Sequence, residues 1–307
     1  WKDGLRRLRK NPIAMVSLAV LIIVLILAFI VPAFYPYDYA TQIRGSENLG
    51  PMQYSEAEQA AMAAGEKVFP HILGTDSLGR DYAVRVMMGT RVSLSVGLLA
   101  SVLVLLIGSV YGSVAGFLGG KVDLFMMRIV DIIYSLPDML MVVLLSVVLR
   151  EIINVDAFPA LQKIGTNMIS MFIVFALLYW TGMARMVRGQ ILTVKQNEYI
   201  LAARVSGAKD SRIIRRHILP NIVSVIIIAA ALQIPSAIFT ESFLSFIGLG
   251  VQAPMPSLGS LANEARAGIT QYPYKLLFPA GMICLITLAF NLLGDGLRDA
   301  FDPKLRR

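Results

Sequence analysis

The sequence predicts an all-α protein that crosses a membrane six times. Three observations carry this. First, 56% of the 307 residues are hydrophobic, only 16% are charged, and the mean hydropathy is +0.68. Ordinary soluble domains hold about 25% charged residues. A soluble globule of this composition would leave large apolar patches in water, and a disordered chain needs the opposite balance. Second, the apolar residues gather into six runs near bilayer length. Third, the 28 Lys and Arg residues are spread unevenly around those runs.

A span needs about 20 mostly apolar residues. The first run, Ile13 to Val31, is free of charge and follows Lys2, Arg6, Arg7, Arg9 and Lys10. It is longer than the ~7–15 apolar residues of a secretory leader and ends in Pro32-Ala33-Phe34-Tyr35-Pro36 rather than a small-residue cleavage site. It reads as a retained span. The chain starts at Trp1, which leaves room for a preceding native stretch. The other runs are Val92–Ala115, Leu124–Leu149, Met168–Met183 with an extension toward Val187, Ile222–Phe239 and Leu276–Leu293.

Six spans put both termini on one side. With that side cytoplasmic, it holds 19 Lys and Arg, and the opposite side holds nine. This follows the positive-inside rule and accounts for the net charge of +8 without nucleic acid. The chain divides into an N-terminal cytoplasmic segment 1–12, a first helix 13–35, an outer loop 36–91, a five-helix region 92–295 with a long inner loop 184–220, and a tail 296–307.

Between the spans, Ser55 opens a run of helix formers that ends at Gly65, a short surface helix. In the second span Gly108, Gly112, Gly116 and Gly120 share one face and allow close helix approach. Gly119-Gly120 makes the turn into the third span. Asp131 and Asp138 in that span, and Glu241 at the end of the fifth, are candidates for a translocation path, because intramembrane carboxylates are costly. Equally, they can serve structure. Pro137 predicts a kink.

Several chemistries are poorly supported. Cys284 is the lone cysteine, which excludes an internal disulfide, and it reads as a small packing residue. His71 and His217 lie far apart and give no zinc spacing. No phosphate-cradling G-x-x-x-x-G-K-[ST] is present, and no nucleophile–base set stands out. The basic 184–220 loop, broken at Gly207, has the outline of a helix-turn-helix, but spans tether both its ends.

Within this loop, Leu201-Ala202-Ala203-x3-Gly207-x11-Leu219-Pro220 resembles the EAA loop of ATP-binding-cassette importer permeases. Leu201 stands where that family has Glu, and His217, before Ile218, where a branched apolar residue is commonest. Three further stretches resemble C-type permeases of the dipeptide and oligopeptide importers. These are His71–Asp81, Glu241–Gly250 and Asn291–Pro303. Gly119–Asp123 leans toward the oligopeptide branch.

The resemblance implies a type I importer permease fold (MetI-like). It implies an EAA-like loop, with Leu201, Ala202, Ala203, Gly207, His217, Ile218, Leu219 and Pro220, that sits on an ATPase subunit. It also implies a second, homologous permease, two ATPase subunits that bind ATP and Mg, and an extracytoplasmic peptide-binding protein, with membrane lipid around the spans. The expected transport is of peptides by alternating access in a prokaryotic inner membrane, with nickel or another small solute as the alternative cargo and an ATP-independent transporter as the rival class. The chain itself is expected to hold no cofactor, no metal and no catalytic site. Gly74, Asp76, Gly79 and Asp81 suit turns and helix starts, with Arg80 pairing one of the acids. Asp76, Arg80 and Asp81 are the candidate contacts for the binding protein. Asp295, Arg298 and Asp299 are expected to anchor the last helix.

Overall fold

The computed structural model describes residues 2–153, 165–251 and 254–301. Lys163 and the tail residues Asp302, Pro303, Lys304, Arg306 and Arg307, which enter the charge count or the C-terminal motif, lie outside the described residues.

The elements are helices: α1 Lys2–Lys10, α2 Pro12–Phe29, α3 Glu56–Ala63, α4 Tyr82–Leu118, α5 Gly120–Tyr134, α6 Asp138–Ile152 and α7 Thr166–Leu178. They continue with α8 Trp180–Lys195, α9 Glu198–Val205, α10 Asp210–Ile213, α11 Leu219–Phe246, α12 Leu258–Arg266 and α13 Tyr274–Phe301. Among the described residues, extended pairing is confined to one bridge, Thr75–Asp81. Helices dominate because α-helices satisfy their own backbone groups in a medium without water.

Among the described residues, five stretches are long and apolar enough to cross a membrane: Pro12–Ala33, Tyr82–Leu118, Thr166–Lys195, Ile214–Phe246 and Tyr274–Phe301. The predicted third span differs. Leu124–Leu149 is not one helix but the pair α5 and α6, bent by 84°. Pro137 at the N-cap of α6 explains the break, since it cannot continue the ladder of α5. The second helix starts at Tyr82, ten residues before the expected Val92, so the outer loop is correspondingly shorter. The fourth runs to Lys195, beyond Met183 and the extension toward Val187. Hydropathy ended it early because Arg185 and Arg188 lower the average. Both find acids on α5. Arg188 grips Asp123 with two bonds of 2.6 Å, and Arg185 reaches Asp131 at 2.7 Å. The inner loop 184–220 therefore begins as helix.

The chain forms two compact units. The first holds Trp1–Ser17, Leu98–Ala237 and Phe290–Arg307; the second holds Leu18–Gly97 and Ile238–Ala289. In the first unit α4 lies against α8 through glycines. A Cβ on Gly108 would stand 2.6 Å from that of Met183, and one on Gly116 would stand 3.1 Å from the Arg188 carbonyl oxygen. On Gly112 it would overlap the Ala184 carbonyl. Gly120 departs from the expected stripe. It starts α5 at φ +57°, with no atom within 4 Å of a Cβ. Gly112→Leu is expected to cost about 3 kcal/mol or more, because the obstacle is backbone that cannot repack. Thermal unfolding in detergent checks this: Tm falls clearly for Gly112→Leu and stays level for Gly182→Ala, whose Cβ meets nothing within 4 Å.

The last helix is anchored by apolar contact. Leu8 and Ala14 are buried with Ala300, and Leu293, Leu297 and Phe301 pack around them. Asp295, Arg298 and Asp299 are exposed on the same helix. Cys284 is also exposed rather than packed.

Candidate functional site

The EAA-like segment folds as a platform on the first unit. Ile200, Ile213, Ile218 and Ile222 are wholly buried or nearly so against Val187, Ile191 and Val194 of α8. Each turn of the segment thus puts one isoleucine inward. What remains faces out: Leu201 is 53% exposed and Val205 90%. Ala202 and Gly207 are exposed beside them, and Ala203 is half-buried.

The reversal after α9 has a definite cause. The Ala208 N–H donates to the Ala203 carbonyl at 3.0 Å and the Gly207 N–H to the Arg204 carbonyl at 2.9 Å. This paired closure requires a left-handed residue at the turn, and Gly207 supplies it at φ +77°. Beyond α10 the backbone widens into a π turn at Ile214–Ile218. The Leu219 N–H reaches back to the Ile214 carbonyl, and Pro220 has no N–H to lose. Asn221 then closes the platform. Its amide donates to the His217 carbonyl at 2.6 Å and to the Tyr199 hydroxyl at 3.2 Å. His217, Leu219 and Pro220 line the returning arm, with Leu219 and Pro220 exposed and His217 half-buried. Arg204, Lys209, Arg215 and Arg216 add an exposed basic rim.

In the same unit a cavity of about 600 Å³ opens at the α5–α6 break. Tyr134, Asp138, Tyr179, Thr181, Gln233 and Ser236 line it. Asp131 lies apart from this lining, in its half-exposed pair with Arg185.

In the second unit Glu241 is fully buried. It accepts hydrogen bonds from Ser93 at 2.6 Å, Ser245 at 2.7 Å and Ser242 at 3.3 Å. Ser93 in turn accepts from the Leu258 N–H, so one carboxylate joins α4, α11 and the start of α12. Asp76, Arg80 and Asp81 are buried too. Asp76 accepts from Arg80 at 2.6 Å and from Arg85 at 2.5 Å. Arg85 also donates twice to Glu264, at 2.6 and 3.0 Å. Sequence reasoning missed Arg85 and Glu264. The i,i+4 and i,i+9 spacing of Asp76, Arg80 and Arg85 was the available signal; Glu264 is too distant in sequence to find.

Asp81 belongs to a separate cluster. The imidazole of His71 lies 2.7 Å from Asp81 through Nδ1 and 3.0 Å from Glu58 through Nε2. Glu58 is held by the capping box of α3, in which Ser55 is the N-cap. Only imidazolium donates from both nitrogens. Burial pushes the His71 pKa down, but bonding and charge from Asp81 and Glu58 outweigh it, and the net direction is up from 6.5. His71 therefore stabilises the fold fully below about pH 6.5, and the contribution is lost as pH rises through the raised folded value. Melting curves should show Tm falling over that upper range in wild type and a flatter profile in His71→Asn.

The comparisons with known proteins agree with this architecture. Residues 108–307 match the binding-protein-dependent transport system inner membrane component, and residues 1–51 match the N-terminal TM domain of oligopeptide transport permease C. The oligopeptide transport system permease protein OppC of Bacillus subtilis is 42% identical over 307 residues, covering 100% of this chain and 90% of the relative. The dipeptide transport system permease protein DppC of the same organism is also 42% identical, over 100% of this chain and 86% of the relative. A glutathione transport system permease protein, GsiD of Pectobacterium atrosepticum, is 36% identical over 100% of this chain and 92% of the relative. With the helical spans and the EAA-like platform, these matches place the chain: it belongs to the family of binding-protein-dependent transport system inner membrane components.

Proposed function

We propose that this chain is a permease subunit of an ATP-driven importer for peptides, with oligopeptides favoured over dipeptides. The observation that carries the reading is the platform at α9 to Pro220. It shows an apolar tip of Leu201, Ala202 and Val205 on an isoleucine-anchored base. An exposed apolar tip on a rigid base is suited to docking. Its partner is one of two ATPase subunits, which bind ATP and Mg. Both termini are cytoplasmic on this reading, in accord with the charge distribution.

The platform works as a lever. Closure of the ATPase subunits on ATP moves α9 and α10, and α8 and α11 transmit the movement because buried isoleucines tie them together. A homologous second permease completes the path, and an extracytoplasmic binding protein delivers the peptide. The cavity at the α5–α6 break is the part of the path on this chain. Asp138 suits a peptide ammonium, and Gln233, Thr181 and Ser236 suit backbone amides of any sequence. The oligopeptide preference is supported by the match of residues 1–51 to an oligopeptide permease segment.

Reconstitution tests the proposal. The complete assembly in liposomes, with a binding protein, should take up labelled tri- to pentapeptides only when ATP is supplied. Uptake of a nickel chelate with no peptide transport would overturn the cargo, and peptide uptake without ATPase subunits would overturn the coupling.

A further inference from the structure

The second unit contains a cavity of about 250 Å³ lined by Asn48, Asp76, Tyr82, Glu264, Gln271 and Lys275, among others. Its charges do not balance. Asp76 and Glu264 are matched by Arg80 and Arg85. Lys275 is the third cation. It is only 7% exposed. Its ammonium donates to the neutral Asn48 Oδ1 at 2.7 Å and lies 4.4 Å from the Tyr272 ring. Among the described residues no carboxylate comes within ion-pair distance of it; Asp76, in the same lining and already held by Arg80 and Arg85, acts on it only at longer range. An ammonium has three donors, and a cation this buried is costly without a counter-charge. The arrangement fits a carboxylate supplied from outside the chain.

Size narrows the source. Pockets for whole small molecules run from about 300 to 1,000 Å³. This one is smaller and suits a single inserted side chain, the anchor geometry of a protein interface. Asp76, Arg80 and Asp81, which the sequence offered for such a contact, are engaged with one another or with His71, whereas Lys275, equally buried but reached through the cavity, has only the neutral Asn48 as hydrogen-bond partner. We infer that the cavity receives an Asp or Glu side chain of the extracytoplasmic binding protein, which pairs with Lys275. This rests on the importer reading above.

The experiment uses the assembled transporter in liposomes and a peptide-binding protein chosen because it stimulates the wild-type ATPase. Lys275→Gln retains a donor for Asn48 but removes the charge. It should raise the concentration of binding protein for half-maximal stimulation about tenfold. Asn48→Asp gives Lys275 an internal carboxylate and should have the same effect while adding an ion pair to the fold, so it decides the matter if Lys275→Gln fails to assemble. N-acetylglutamate should weaken stimulation of wild type more than N-acetylglutamine does at matched salt, and should not discriminate in Lys275→Gln. Unchanged half-saturation in both variants overturns the inference alone. A rise in the half-saturating peptide concentration at saturating binding protein overturns it too, by assigning the carboxylate to the cargo. Absence of stimulation of wild type by any binding protein overturns the importer reading and this inference together.

Discussion

Gly207→Trp is expected to lower peptide uptake more than tenfold while the chain still reaches the membrane. Two effects of the substitution have different sizes. The backbone at φ +77° costs a non-glycine residue about 1–2 kcal/mol, against the ~5–15 kcal/mol that separates folded from unfolded protein. Nothing lies within 4 Å of a Cβ at this exposed position, so the substitution meets no immediate backbone obstacle and the fold is expected to survive. The proposed docking face is expected to be obstructed, because the bulk is added at the exposed turn that follows Leu201, Ala202 and Val205. ATP hydrolysis should then proceed without uptake. Gly207→Ala carries the backbone cost without the bulk and should retain most uptake. Membrane abundance by immunoblot, together with transport and ATPase rates, separates these outcomes. Full uptake in the Trp variant contradicts the lever.

Arg85→Leu is the second large effect, and it concerns stability. Arg85 is 1% exposed and holds two carboxylates at once. Removing one partner of a buried pair costs about 3–5 kcal/mol, because the remaining charge is left uncompensated. The lower end applies here. Asp76 keeps Arg80 at 2.6 Å, and Glu264, partly exposed, keeps only a longer contact of 3.4 Å. The Tm of the detergent-purified protein should fall by roughly 5 °C. Arg85→Lys should recover only part of this, since one ammonium cannot reproduce a fork that serves two acids. An unchanged Tm in Arg85→Leu would show that Arg80 alone satisfies both carboxylates.

The parts of the fold legible in the sequence were those set by composition over long windows. All six apolar runs fall on helices, because hydropathy averages over about 20 residues. Helix ends were less legible. α4 begins with Tyr82, Arg85 and Arg91, and α8 includes Arg185 and Arg188. Their charges look like loop until Glu264, Asp123, Asp131 and the Ala28 carbonyl are known to receive them. The short helix over 56–63 was readable from Ser55 and Glu58, but its bond to His71 was not, because nothing local ties Glu58 to a residue thirteen positions on. Within the candidate coupling segment the turn at Gly207 was readable from the residue type. The choice of which apolar residues face in was not. Ile200, Ile213 and Ile218 differ in burial from Leu201, Val205 and Leu219 only through their rotation about short helices and a π turn.

Docking of the face that bears Val205 on an ATPase subunit, as proposed above, can be tested directly. Val205→Cys in a Cys284→Ser chain places one thiol on that face, since Cys284 is the lone cysteine and is exposed. In the assembled transporter, a short bis-maleimide and a cysteine scan of the ATPase surface should give a covalent adduct of this chain with the ATPase subunit. The same thiol should be slow toward a soluble maleimide. An introduced thiol that stays as reactive in the assembly as in the isolated chain, and forms no adduct with the ATPase subunit, would rule out docking of this face.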